Sequence, residues 1–228
     1  IRMNKTPISE HLPHVPCLIN RSRRRLMGAV AVSVLMPVLA ACSIDLPGGP
    51  GPKLYTLTPK STFDQAMPFV DRQLLVEQPV AASGLNTARI VLKPNPYQLD
   101  YFASVAWADR ATSMVQTLLV ESFENTKKIV SVGRETTGLR ADYILKNELR
   151  EFQAEYFDRS TNAAPDIRVR ISATLIKMPE RAIVSRFEEE QVVTADNGRF
   201  DSVVQGFDVA LGKVLSEIVE QTLVEMAR

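Results

Sequence analysis

Hydrophobic and polar positions divide the chain into one continuous apolar run and a long region of short, interrupted patterns. From Leu26 to Ala41 no residue is charged, and Met27, Val30, Val32, Val34, Leu35, Met36, Val38 and Leu39 make the run apolar on every side. From Lys53 onward the apolar residues recur with period two or with spacings of three and four, the signatures of strand and amphipathic helix. Lys53–Thr58 (Leu54, Tyr55, Leu57) predicts a strand ended by Pro59, Gln73–Gln78 (Leu74, Leu75, Val76) a second ended by Pro79, and Ala88–Lys93 (Ile90, Val91, Leu92) a third ended by Pro94. Tyr101, Ala103, Val105 and Trp107 alternate strictly and predict a fourth strand running into a helix over about 109–125, whose apolar face is Val115, Leu118, Leu119, Ser122 and Phe123.

The second half is more regular. Ile129–Val132, closed by Gly133, reads as a strand. Tyr143, Leu145 and Leu149 share one parity and Phe152, Ala154 and Tyr156 the other, a phase flip that predicts a bulge inside one long strand. Ile167, Val169, Ile171, Ala173 and Leu175 give the cleanest alternation, within a strand from Asp166 to Met178. Met178-Pro179-Glu180-Arg181 then predicts a turn into a partner strand through Ile183–Val193. A closing helix begins near Asp201, a candidate N-cap, with Val203, Phe207, Ala210, Leu211, Val214, Ile218 and Leu223 on its apolar face. The sum is a mixed α/β domain, its sheet largely antiparallel in the second half and covered by at least two helices.

The apolar run gains meaning from its flanks. Arg21, Arg23, Arg24 and Arg25 precede it and Leu39-Ala40-Ala41-Cys42 closes it, the basic, apolar and small-residue order of a secretory signal. A transmembrane helix needs about 20 apolar residues, whereas this run is shorter and contains Pro37. A core helix would carry polar residues at helical spacing, and the arginines are better explained by the run they precede than as a nucleic-acid patch. The residues before Arg21 read as an extended or misassigned start. Residues 1–41 are therefore expected to be removed, and Leu39-Ala40-Ala41-Cys42 resembles the lipobox of bacterial lipoproteins, in which the cysteine takes a diacylglyceryl group and becomes the mature N-terminus. Residues 42–52, with three prolines and three glycines, predict a tether, and 53–228 a periplasmic domain.

Removing the signal changes the available chemistry. Both histidines (His11, His14) and Cys17 lie upstream of Cys42, and the mature chain loses six of 27 basic residues but one of 26 acidic ones, leaving a net charge of −4. A mildly acidic domain is a poor nucleic-acid binder. Without histidine or a free thiol it builds no Ser-His-Asp or Cys-His site and lacks the usual zinc ligands. Gly133 and Gly138 lack the Lys and Ser or Thr of a phosphate loop. Glu188, Glu189 and Glu190 cannot converge on one metal from consecutive strand positions and read as a solvated edge or loop. Asp100 with Asp109, or Glu148 with Glu151, have nothing in their spacing to mark an acid–base pair. Arg168 and Arg170 share an outward strand face open to an acidic partner or lipid head groups, and such charges are also what a half-exposed strand carries. Trp107 reads as a core anchor.

A family resemblance joins these features. The lipobox, the tether, Lys53-Leu54-Tyr55-Thr56-Leu57-Thr58-Pro59, the segment from Asp100 to Asp109 with its Trp107-Ala108 pair, and Phe207-Asp208-Val209-Ala210-Leu211-Gly212-Lys213-Val214-Leu215 in the closing helix together resemble the ABC-type transport auxiliary lipoproteins. The resemblance implies a three-layer α/β fold with a mixed sheet and flanking helices, like the anticodon-binding or TolB N-terminal type. It implies an auxiliary role, by docking rather than catalysis, beside a mammalian-cell-entry (MCE) domain protein and its ABC permease and ATPase, which move phospholipids or related lipids between inner and outer membranes. It brings no cofactor, metal or catalytic residue, and only Cys42 transfers as a site, with acyl chains such as palmitate holding the protein to the membrane. Ser43 follows the cysteine where an aspartate would favour inner-membrane retention, which points to the inner leaflet of the outer membrane. Two other readings stay open: an outer-membrane assembly lipoprotein of the lipopolysaccharide-export kind, and a carboxylate-dependent cell-envelope hydrolase, which needs two acidic residues at a set separation in a cleft.

Overall fold

In the computed structural model, which describes residues 51–63, 66–134, 140–157 and 164–228, the cleanest alternation becomes strand β8 (Asp166–Lys177). It is antiparallel to β7 (Tyr143–Glu155) on one side and to β9 (Ala182–Thr194) on the other along nearly its whole length. Ile167, Val169, Ile171, Ala173 and Leu175 are buried, while Arg168, Arg170 and Thr174 on the opposite parity stay partly exposed.

β7 joins the two halves of the sheet. Its free edge is met in turn by β2 (Val70–Val76) at Tyr143–Leu145, β3 (Val80–Ala81) at Glu148–Leu149 and β4 (Arg89–Asn95) at Ala154–Glu155, all parallel. β6 (Ile129–Arg134) lies parallel on β2, β5 (Gln98–Trp107) folds back antiparallel on β4, and β1 (Lys53–Tyr55) lies parallel on β5. The nine strands form one mixed sheet. The expected bulge is present: Leu149 pairs with Ile171 and Glu151 with Arg170, which leaves Arg150 as the extra residue. That one insertion keeps both Leu149 and Phe152 in the core.

The mixed α/β class with flanking helices holds. α1 (Ala111–Thr126) and α2 (Phe200–Met226) contact each other and share a single core cluster with the inward parity of the sheet. The charged parity of β7, β8 and β9 is left toward solvent. Trp107 is 1% exposed, as a core anchor should be, with its ring 5.2 Å from that of Phe207 and 5.7 Å from that of Phe152.

Several boundaries differ from the pattern reading. The first strand ends at Tyr55, because the next residues turn toward α2, where the Asp208 carboxylate accepts the Thr58 backbone N–H at 2.7 Å and its hydroxyl at 2.9 Å. β3 is a two-residue strand after Pro79 that the pattern does not announce. Pro94 lies inside β4 rather than ending it: pairing with β7 stops at Lys93, and the β4–β5 register shifts between Leu92 and Asn95, so no ladder bond needs the missing N–H. Asp201 is not the N-cap. α2 starts one residue earlier, after Arg199, and Asp201 sits in its first turn, where a carboxylate suits the helix dipole. The strict alternation of β5 also fails, for a reason that shapes the site below.

Candidate functional site

Between the pairs Arg89↔Ala106 and Val91↔Tyr101, two steps along β4 span five along β5. The surplus is taken up around Ser104, whose φ of 59° lies in the left-handed region. The reversal flips parity, so Phe102 as well as Val105 and Trp107 turns to the core side. Tyr101 faces the other way, donating its hydroxyl to the Gly84 carbonyl at 3.2 Å under the Arg89 guanidinium, 3.6 Å from the ring centroid. A non-glycine residue at positive φ is uncommon and, where it lines a surface, worth attention.

Here it lines a groove of about 640 Å³ bounded by Lys53 and Tyr55 of β1, Phe102–Val105 of β5, and Gly198–Asp201 at the start of α2. Its aromatic floor is one edge-to-face set: Phe200 lies 5.0 Å from both Tyr55 and Phe102, and Phe102 lies 6.2 Å from Tyr156. Burial pushes the Tyr156 phenol above its ordinary pKa. Lys53 and Arg199 on the rim are exposed and make no ion pair among the described residues.

The open face of the sheet carries a cross-strand lattice of charges. Arg168 binds Glu155 at 3.0 Å and also Glu190. Arg170 binds Glu151 at 3.1 Å and Glu188 at 3.4 Å, and Arg150 joins Glu148 at 3.1 Å and also Glu188. The hydrogen bond to Glu155, ahead of that to Glu190, raises the Arg168 pKa against the opposing effect of burial. Arg170 keeps one buried nitrogen, Nε, without a hydrogen-bond partner. Arg168 and Arg170 therefore serve first as the cationic row between two acidic strands, a partnership that spacing alone does not reveal.

The remaining sequence candidates are dispersed. Cys42 lies outside the described residues. Asp100 and Asp109 stand at opposite ends of β5, each accepting the N–H of the next residue. Glu148 and Glu151 flank the bulge and are each held by an arginine. Glu188 and Glu190 point to the charged face of edge strand β9, while Glu189 on the other parity accepts from Gln221 of α2. Among the described residues no group of three or more His, Cys, Asp or Glu side chains is placed to hold a metal ion, and no helix is long and apolar enough to cross a membrane. The groove residues that pattern reading missed are Phe102, Ser104 and Phe200. Phe102 was hidden by the assumed alternation, and nothing local signals the reversal at Ser104. What these surfaces offer is contact, aromatic area and charge, the means of docking.

Comparison with known proteins identifies the family. The family model described as the ABC-type transport auxiliary lipoprotein component matches residues 55–221. An uncharacterised protein of Bradyrhizobium diazoefficiens is 27% identical over 181 residues, covering 77% of this chain and 46% of the relative, so the chain spans about half the length of that curated relative. A crystal structure of a Xanthomonas campestris protein superposes with a TM-score of 0.71 at 29% identity, over 76% of this chain and 95% of that one. A crystal structure of a further uncharacterised protein shares the fold, with a TM-score of 0.59 at 14% identity over 75% and 98% of the two chains. With the match running from β1 into the last turns of α2, the chain belongs to the ABC-type transport auxiliary lipoprotein component family.

Proposed function

We propose that this protein is the lipid-anchored, periplasmic auxiliary component of an MCE-type ABC transport system that moves phospholipids or related lipids between the inner and outer membranes. The observation that carries the reading is the family match over nearly the whole folded domain. Cys42 takes the lipid, residues 42–52 form the tether, and the domain acts by docking the lipid-carrying part of the transporter rather than by catalysis. Ser43 after the lipidated cysteine favours the inner leaflet of the outer membrane. One acyl chain holds a protein only marginally, whereas two or more hold it stably, at roughly 0.8 kcal/mol per buried methylene. The anchor therefore needs no transmembrane span.

The test is affinity purification of the lipidated protein from detergent-solubilised membranes, with Cys42→Ala as control. Recovery of an MCE-domain protein with its permease and ATPase is the expected result, and the unlipidated control should lose these partners. Recovery of an outer-membrane barrel in their place refutes the transporter assignment.

A further inference from the structure

Both ends of the β7–β8–β9 sheet expose apolar side chains, Ile183 at 59% beside one turn and Tyr97 at 99% on the other, and they differ in which of them the tether leads to. A strand of twelve residues, rising ~3.3 Å per residue, separates them by about 40 Å. Strand directions fix which segments share an end. β4 and β7 are parallel and finish together at Lys93↔Glu155, β5 and β8 start there as their antiparallel partners, and β9 finishes beside the start of β8. The Pro96–Tyr97 turn, Tyr156–Phe157, and the first turn of α2 therefore lie at one end. The Met178–Arg181 turn lies at the other. β1 is parallel to β5 with Lys53 opposite Val105, so the chain preceding Lys53 points back along β5 toward the Tyr97 end. Gly51 and Pro52 are exposed, and a Cβ added at Gly51 would meet nothing within 4 Å.

That end holds the most exposed large side chain described. Tyr97 is 99% exposed, and Phe157 is 45% exposed. The turn presenting Tyr97 is ordered: Asn95 Oδ1 accepts the Tyr97 N–H at 3.0 Å, Asn95 Nδ2 donates to Gln98 Oε1 at 3.1 Å, and Pro96 fixes its own φ. An aromatic ring held out into water by a rigid two-residue turn has no role in the core of this domain. Tyrosine, with an apolar body and a polar tip, is enriched where membrane meets water.

We propose that the Tyr97 end of the domain rests on the head-group layer of the membrane that carries the Cys42 lipid, with Tyr97 and Phe157 at the interface. The inference rests on the lipid-anchor reading of Cys42. Lys53 lies eleven residue steps from Cys42, which span at most about 40 Å fully extended and about 18 Å as a flexible coil. The Tyr97 end is thus within reach of the bilayer, and the Met178–Arg181 end stands a further sheet length away. Tethering supplies a high effective concentration, so a few weak interfacial contacts suffice to set the orientation. Lys53, beside the tether and without an ion pair among the described residues, has a stem that can lie on the apolar surface with its ammonium at the phosphates.

The test places an environment-sensitive fluorophore on Tyr97→Cys and, separately, on Glu180→Cys at the far turn, in the full lipidated chain reconstituted into phosphatidylethanolamine–phosphatidylglycerol vesicles. Both positions are exposed turns, and with the signal removed and Cys42 acylated the introduced thiol is the free one. The expected result is a blue shift and several-fold greater quenching by brominated lipid at position 97 than at 180. Flotation of the same sample reports the anchor separately. Protein that floats with a fully aqueous label at 97 overturns the orientation alone, whereas protein that does not float overturns the anchor and the orientation with it. Shielding of the 97 label without vesicles puts a protein surface on the turn and also overturns the proposal.

Discussion

Trp107 and Arg168 illustrate two kinds of residue-level dependence. Trp107→Ala removes a ring fully enclosed by Phe152 and Phe207, and an aromatic-to-alanine change in such a site costs about 3–5 kcal/mol. Urea unfolding followed by circular dichroism should show a correspondingly lower midpoint. Arg168→Ala acts differently, because it removes the cation paired with the Glu155 carboxylate, 7% exposed, and leaves it only the Gln153 amide at 3.1 Å. A buried carboxylate that loses its charged partner costs about 1–3 kcal/mol. Arg150→Ala removes ion pairs whose members are all more than a third exposed and should cost less than about 1 kcal/mol. Equal losses from the two arginine variants would refute the distinction. The place of Trp107 was legible because a lone large aromatic among alternating residues has few destinations. The partners of Arg168 were not, since they sit on two other strands whose registers depend on a turn and a bulge remote from it.

At the scale of elements, α2 offers two glycines with opposite forecasts. Glycine in a helix interior disfavours the helix by about 1 kcal/mol relative to alanine, so both substitutions look stabilising from sequence. Yet a Cβ at Gly206 would lie 2.7 Å from Cγ1 of Ile167, a buried, β-branched residue of β8, whereas at Gly212 it meets nothing within 4 Å. Gly206→Ala should therefore destabilise, by about 1–3 kcal/mol as other overpacked cores do, while Gly212→Ala should stabilise by up to about 1 kcal/mol. Thermal unfolding of the two variants checks the sign. The same contrast explains what sequence patterns conveyed. The long elements were readable since each buries a full apolar face, and the bulge in β7 was readable as a phase flip. The two-residue β3, the tolerance of Pro94 and the reversal at Ser104 were not, because each is decided by which neighbouring strand is present and where its pairing stops.

For the whole molecule, the fold is a platform rather than a pocket. Its core lies between the helices and one side of the sheet, and its other side is a lattice of charges. Family membership was legible in sequence because the tether-to-strand junction, the tryptophan segment and the closing helix fall in a fixed order. The aromatic groove between β1, β5 and α2 was not, as its walls come from segments separated by about half the chain. Among the described residues β9 pairs only with β8, so over its thirteen residues one line of backbone donors and acceptors finds no strand partner there. Such a line is a template for cross-β growth. Glu188 and Glu190 stand at its midpoint, where two copies meeting edge to edge would bring like charges together. Replacing both with threonine, a good strand former, should leave the monomer folded but give concentration-dependent light scattering absent from the parent. Unchanged scattering in that variant would mean that the acidic run serves only its arginine partners.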